Sequence, residues 1–170
     1  MQVAVVAGGA APSTRSGRLR LARALLVALT ATGAAVGLWA QAAPAAFYRS
    51  FPGFGRHWLP PLGPYNEHLV RDFGALNLGL AAAALVAAIT LTRSATMTAA
   101  AAWLVYSVPH VAFHATHGEA FGAGDDIAAL ASLSAAAAVA LAAWWLVTTA
   151  PAPPASEPRP VLASGRTETA

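Results

Sequence analysis

The sequence predicts an all-α fold: a polytopic four-transmembrane-helix bundle with N- and C-termini cytoplasmic. Three observations predict it. Of 170 residues, 57% are hydrophobic and only 10% charged, against about 25% charged in a soluble domain. Four long runs carry no charge, namely Ala24–Ala43, Phe73–Thr92, Ser94–Thr116 and Ile127–Ala150, and each has the roughly 20 residues needed to cross a hydrocarbon core of about 30 Å. These runs are continuous and rich in Ala and Leu, without the period-two alternation of a barrel strand.

Along the chain, residues 1–18 mix Gly, Ala, Pro, Ser and Arg with no sustained period and are expected to form a disordered cytoplasmic tail. The membrane domain is placed at 19–150, with helices at about 21–43, 70–92, 94–117 and 126–149 and an interfacial outer loop at 44–69. Residues 151–170 form a Pro-rich second cytoplasmic tail, also expected to be disordered, with APAPPASEPRP suited to polyproline II. Orientation follows from ten arginines and no lysine. Arg15, Arg18, Arg20, Arg23, Arg93, Arg159 and Arg166 fall on one side, which the positive-inside rule makes cytoplasmic. In a membrane chain the charge of +3 speaks to topology and not to nucleic acid. With no cysteine, disulfides and thiolate metal sites are excluded.

A cleaved signal peptide is the rival reading of the first run, because Ala40-Gln41-Ala42 resembles a small-residue cleavage site. The run is longer than the usual 7–15 residue signal core, so an uncleaved helix is preferred. Within that helix Gly33 and Gly37 have small-xxx-small spacing, as do Ala75, Gly79, Ala83 and Ala87 in the second. Both ladders are expected to serve packing in the bundle, with homodimerisation as the alternative.

In the outer loop Phe47, Phe51, Phe54 and Trp58 are spaced four, three and four apart, yet Pro52, Gly53 and Gly55 oppose a regular helix. An irregular segment at the outer interface is expected, anchoring by its aromatic rings, with a lid over the bundle as the functional alternative. Trp144 and Trp145 are read as belt residues at the inner interface.

The polar residues concentrate at the outer ends. His110, His114 and His117 fall on one helical stripe at i, i+4 and i+7, extended inward by Tyr106. His110 and His114 have the spacing that can offer two imidazoles to one metal, although Val111 stands where a metallopeptidase needs Glu. Pro109 interrupts the same helix and should kink it, with Tyr106 or Ser107 close enough to satisfy the carbonyl it frees. On the second helix Glu67 and Arg71 are i, i+4, as are His68 and Asp72, and Asn77 lies deeper. Asp125 is expected foremost as an N-cap for the fourth helix, and Asp125 or Asp126 otherwise as an acidic partner for the histidines.

His110, His114, His68 and Asp72 are therefore the candidate metal ligands, and Glu67, Arg71, Asn77, Tyr106, His117 and Asp125 the candidate outer shell or proton relay, with Glu119 at the rim. Such a set suits Zn, Cu, Ni or Fe, a proton relay or pH sensor, or haem held by imidazoles from two helices. Ordinary tolerance of His, Asp and Glu near headgroups accounts for the same residues without a ligand.

Two segments, GPYNEHLVRDFGALNLGL and VPHVAFHATH, resemble small four-helix integral membrane proteins of unknown function of actinobacterial type. In helix number and length over about residues 20–150 the chain is also similar to DoxX-like membrane proteins, some of which are linked to quinone redox chemistry. The resemblance implies a membrane or redox-accessory role and assigns no active-site residue. The expected function is a small membrane component without catalysis of its own, accessory or homo-oligomeric. A metal- or haem-binding redox component and an oligomeric proton-coupled transporter or pH sensor are the alternatives, and the bilayer, a second copy or a membrane protein the partners.

Overall fold

The computed structural model describes residues 12–117 and 122–151. The rest of both expected tails (1–11 and 152–170) and Glu119 lie outside the described residues. Among these residues the chain is all helix and turn. It contains α1 (Pro12–Ala42), α2 (Pro44–Ser50), a single 3-10 turn at Pro60–Leu62, α3 (Glu67–Thr90), α4 (Arg93–Thr116) and α5 (Ala123–Thr148). Three helices are long and apolar enough to cross a membrane: α1 over Thr14–Ala42, α3, and α5. Large apolar side chains such as Leu38, Ile89 and Ile127 point outward from them, as a surrounding of lipid requires and water does not favour.

α1 is longer than the sequence suggests, because residues 12–18, assigned above to the tail, are helical. Pro12 opens the helix, where its fixed φ is an advantage, and Arg18 secures the first turns. The Arg18 guanidinium donates to the Thr149 carbonyl at 3.1 Å and hydroxyl at 2.7 Å and lies 5.3 Å from the Trp145 ring. Trp145 is thus exposed under a cation, whereas Trp144 is partly buried against the core.

α3 and α4 form a tight hairpin. Leu91 caps α3 in the left-handed region (φ 47°), and the Thr92 hydroxyl accepts a bond from the Ala95 N–H at 3.2 Å to start α4. α4 stays helical through Pro109. The buried Ser107 hydroxyl has no hydrogen-bond partner, so it does not satisfy the carbonyl that Pro109 frees.

The core consists of three layers of mostly small residues. Leu26, Ala87, Ala99 and Ala143 meet at the inner end; Leu29, Leu80, Ala100, Ala140 and the fully buried Trp103 fill the centre; Ala40, Phe47 and Val70 close the outer end. Trp103 also bridges two helices, its indole N–H donating to the Leu80 carbonyl at 3.2 Å.

The closest packing joins α1 to α3. A Cβ on Gly33 would stand 2.8 Å from the Asn77 carbonyl oxygen, and one on Gly37 would stand 2.8 Å from that of Gly74. The second small-residue ladder divides. Ala75 and Gly79 are exposed, Ala83 and Ala87 pack in the core as expected, and the α3 residues that meet the α1 glycines are Gly74, Asn77, Leu78 and Ala81. Polar bonds close both ends of this pair. Arg23 Nε donates to the Ala88 carbonyl at 3.1 Å at the inner end. At the outer end, Gln41 Nε2 donates to the Arg71 carbonyl at 2.6 Å and Arg71 Nη1 to the Gln41 carbonyl at 2.6 Å.

Gly37→Ala should lower stability by about 1–3 kcal/mol, as overpacking does, and so lower the midpoint of thermal unfolding in detergent. Gly79→Ala, with nothing within 4 Å, should leave the midpoint unchanged or raise it, since Ala exceeds Gly in helix propensity by about 1 kcal/mol. Equal effects at both positions would contradict the close α1–α3 contact.

Candidate functional site

The segment between α1 and α3 folds into an aromatic cover. Phe47, buried on α2, packs edge-on to Trp39 (ring centroids 5.4 Å apart, 88°) and lies 4.8 Å from Phe51 and 5.9 Å from Phe73. Past Ser50 the chain turns through Gly53, Phe54 and Gly55, all at positive φ. The Trp58 N–H then donates to the Phe51 carbonyl at 2.9 Å, closing the loop. The Tyr48 hydroxyl donates to the Gly63 carbonyl at 2.6 Å. The segment is therefore part helix and part ordered turn. The spacing of four, three and four does not form a single stripe, because Phe54 projects from the turn and is 100% exposed.

Beneath this cover is a cavity of about 640 Å³, bounded by α1, α3, α4 and α5. Aromatic side chains of the cover form its roof, and Val36, Leu133 and Ala136 form its α1/α5 wall. The α3/α4 wall is polar and includes Asn77, Tyr106, His110 and His114. The helical period explains that wall, since positions 103, 106, 110 and 114 recur on one face of α4. Their rings touch in sequence: Trp103 and Tyr106 at 6.3 Å, Tyr106 and His110 at 5.4 Å, His110 and His114 stacked at 5.1 Å and 29°. Asn77, only 3% exposed, donates from Nδ2 to the Phe73 carbonyl at 2.9 Å and lies within hydrogen-bonding reach of the Tyr106 hydroxyl.

The expected metal set separates into two pairs. His68 Nε2 and Asp72 Oδ2 are 3.3 Å apart with side chains 86% and 62% exposed, and neither lines the cavity. His110 and His114 do line it. Among the described residues no group of three or more His, Cys, Asp or Glu is placed to hold a metal ion. The histidine stack also works against a shared ion, whose ligand nitrogens would have to converge at about 2 Å from it. The α3 pair points outward because positions 68 and 72 lie on the opposite face from Val70, Gly74 and Asn77, which turn inward. His68 and the α4 histidines therefore do not face a common space.

The remaining candidates have structural partners. Arg71 Nε donates to Glu67 at 2.8 Å, which leaves that guanidinium shared between Glu67 and the α1 clamp. His117 ends α4, stacked on Phe113 at 4.3 Å with its Nδ1 3.0 Å from the Phe113 carbonyl. Asp125 is not the N-cap. α5 begins after Gly122, and the Asp125 carboxylate accepts an ion-pair hydrogen bond from Arg56 in the cover. Asp126 lies in the same first turn, near His114.

Sequence reading offered a lid over the bundle only as the alternative to anchoring, and it missed the cavity and the roles of Gln41 and Tyr48. The aromatic density of 47–58 was its only sequence signal. Compared with known proteins, the chain matches no family model, no curated protein and no solved structure.

The Arg56–Asp125 pair joins the cover to α5 in a half-exposed position, where such a pair contributes about 0–1 kcal/mol. Asp125→Asn should therefore leave the unfolding midpoint nearly unchanged while speeding amide hydrogen exchange across residues 51–65. Exchange no faster than wild type would show that the aromatic contacts alone hold the cover.

Proposed function

We propose that this chain is a four-span integral protein of the cell membrane, with both termini cytoplasmic, which binds a small lipophilic molecule in its outer half and performs no catalysis of its own. Four spans require α4 to cross beside the three more apolar helices. In support, α4 has 24 residues, runs back along α3 from a two-residue turn, and presents Val105, Val108 and Phe113 outward. An even number of spans places both arginine-rich ends on the same side, in keeping with the positive-inside rule.

The observation that carries the binding reading is the cavity of about 640 Å³. It falls within the range of about 300–1,000 Å³ typical of small-molecule sites, mainly apolar with a few grouped polar side chains. Its place under an interfacial cover gives a ligand access from the outer leaflet.

Because the chain has no cysteine, single introduced cysteines report topology cleanly. In intact cells Phe54→Cys should react with a membrane-impermeant maleimide and Ser164→Cys should not, until the membrane is permeabilised. Binding is tested with a lipophilic fluorescent probe and the purified full chain. Ala136→Phe, which fills the cavity, should weaken saturable binding at least tenfold, and unchanged binding would remove this reading.

A further inference from the structure

We infer that the cavity takes an uncharged amphiphile: an extended apolar molecule with one neutral hydroxyl or carbonyl head, held against Asn77, Tyr106 and His110. This deepens the binding reading above and rests on it.

Hydrogen-bonding capacity selects the wall. On the α1/α5 side the Thr32 hydroxyl donates to the Ala28 carbonyl at 3.0 Å and the Ser132 hydroxyl to the Ala129 carbonyl at 2.9 Å, so both turn back on their own helices. In the roof Tyr48 donates to Gly63, and at the rim the Asn66 side chain accepts from the Leu69 N–H at 3.1 Å. The Trp103 indole is spent on Leu80. The hydroxyl protons of the α1/α5 wall and of Tyr48 are thus engaged and Asn66 stands at the exposed rim, so the deep donor capacity toward the cavity gathers on α4, beside the Asn77 carbonyl of α3. The Asn77 amide nitrogen is engaged with Phe73, which leaves its carbonyl oxygen to accept. The Tyr106 hydroxyl and the His110 ring supply both donor and acceptor functions.

Charge selects the head. Among the described residues no Arg, Asp or Glu lines the cavity. Of the charges close to it, Arg56 is engaged with Asp125 and Arg71 with Glu67 and Gln41, and Asp126, the nearest to His114, lies outside the lining. A carboxylate or ammonium head would give up its hydration with no fixed counter-charge to replace it, a strongly unfavourable transfer. A neutral oxygen loses far less and recovers its hydrogen bonds on the wall.

Depth selects the shape. Asn77 lies ten residues inside the outer end of α3 and Tyr106 ten inside that of α4, about 15 Å at 1.5 Å per residue. The head thus reaches mid-membrane, and the aliphatic wall and aromatic roof enclose the rest of the molecule.

The test uses the full chain in detergent with radiolabelled hexadecanol. Hexadecane, hexadecanoate and hexadecylammonium serve as competitors, and each is also measured directly. Hexadecanol should bind saturably, with both charged probes at least tenfold weaker. Tyr106→Phe, which keeps the ring, and Asn77→Leu should each weaken hexadecanol by roughly three- to tenfold, the worth of one hydrogen bond, and leave hexadecane unchanged. If a charged probe binds as tightly as hexadecanol, or if neither substitution changes hexadecanol binding, the ligand class is wrong. The cavity reading would then survive if Ala136→Phe still abolished binding. If no probe binds, or if Ala136→Phe binds like wild type, both fall.

Discussion

The backbone approach of α1 to α3 is the constraint on which the rest of the molecule depends. In a bilayer, apolar side chains gain little by leaving lipid for each other, so helices associate where backbones come close and polar bonds cross between them. Gly33, Gly37 and Gly74 permit that approach, since each lacks the Cβ that would otherwise collide. Once α1 and α3 are in register, Arg23 meets the Ala88 carbonyl at one end, and Gln41 and Arg71 exchange bonds at the other. These end clamps set the register that the small residues alone would leave free to slide.

The same constraint creates the open space. α3 packs far more closely on α1 than on α4, and α4 packs more closely on α5 than on α3. The hairpin at Leu91 and Thr92 and the Trp103–Leu80 bond hold α3 and α4 together in their inner and central parts. Toward the outer end the two helices face a cavity instead of a shared core. The 24 residues between α1 and α3 then have a defined task, which the Phe47, Phe51 and Trp58 contacts accomplish: they roof that space.

Helical class and membrane-length runs were legible in the sequence because they depend on local composition and length, as the runs Phe73–Thr92 and Ile127–Ala150 illustrate. The α4 stripe was legible because 106, 110 and 114 share a face whatever α4 packs against. Residues whose meaning is set by a distant partner were not legible. Gly33 and Gly79 look alike in sequence, yet one meets the backbone of another helix and the other meets nothing within 4 Å. Asp125 has the spacing of a cap, and its partner Arg56 lies 69 positions away. His68 and Asp72 share an outer level with the α4 histidines but point away from the cavity, which level alone does not reveal.

The polar wall is best understood through its alternatives. In the four-span arrangement proposed above, Asn77 and Tyr106 lie near the depth where an unsatisfied polar group is most costly. A bundle built only to pack would place Leu or Ala there, as this chain does at Leu80, Ala84 and Ala100 one layer further in. Here the two polar groups lie within bonding reach of each other, and Asn77 places one amide N–H on the Phe73 carbonyl of its own helix. That arrangement makes the wall tolerable when no other molecule is bound. It also leaves Tyr106 and His110 facing a space large enough for a ligand. Packing does not require these groups at that depth, whereas the recognition of a neutral polar group proposed above does.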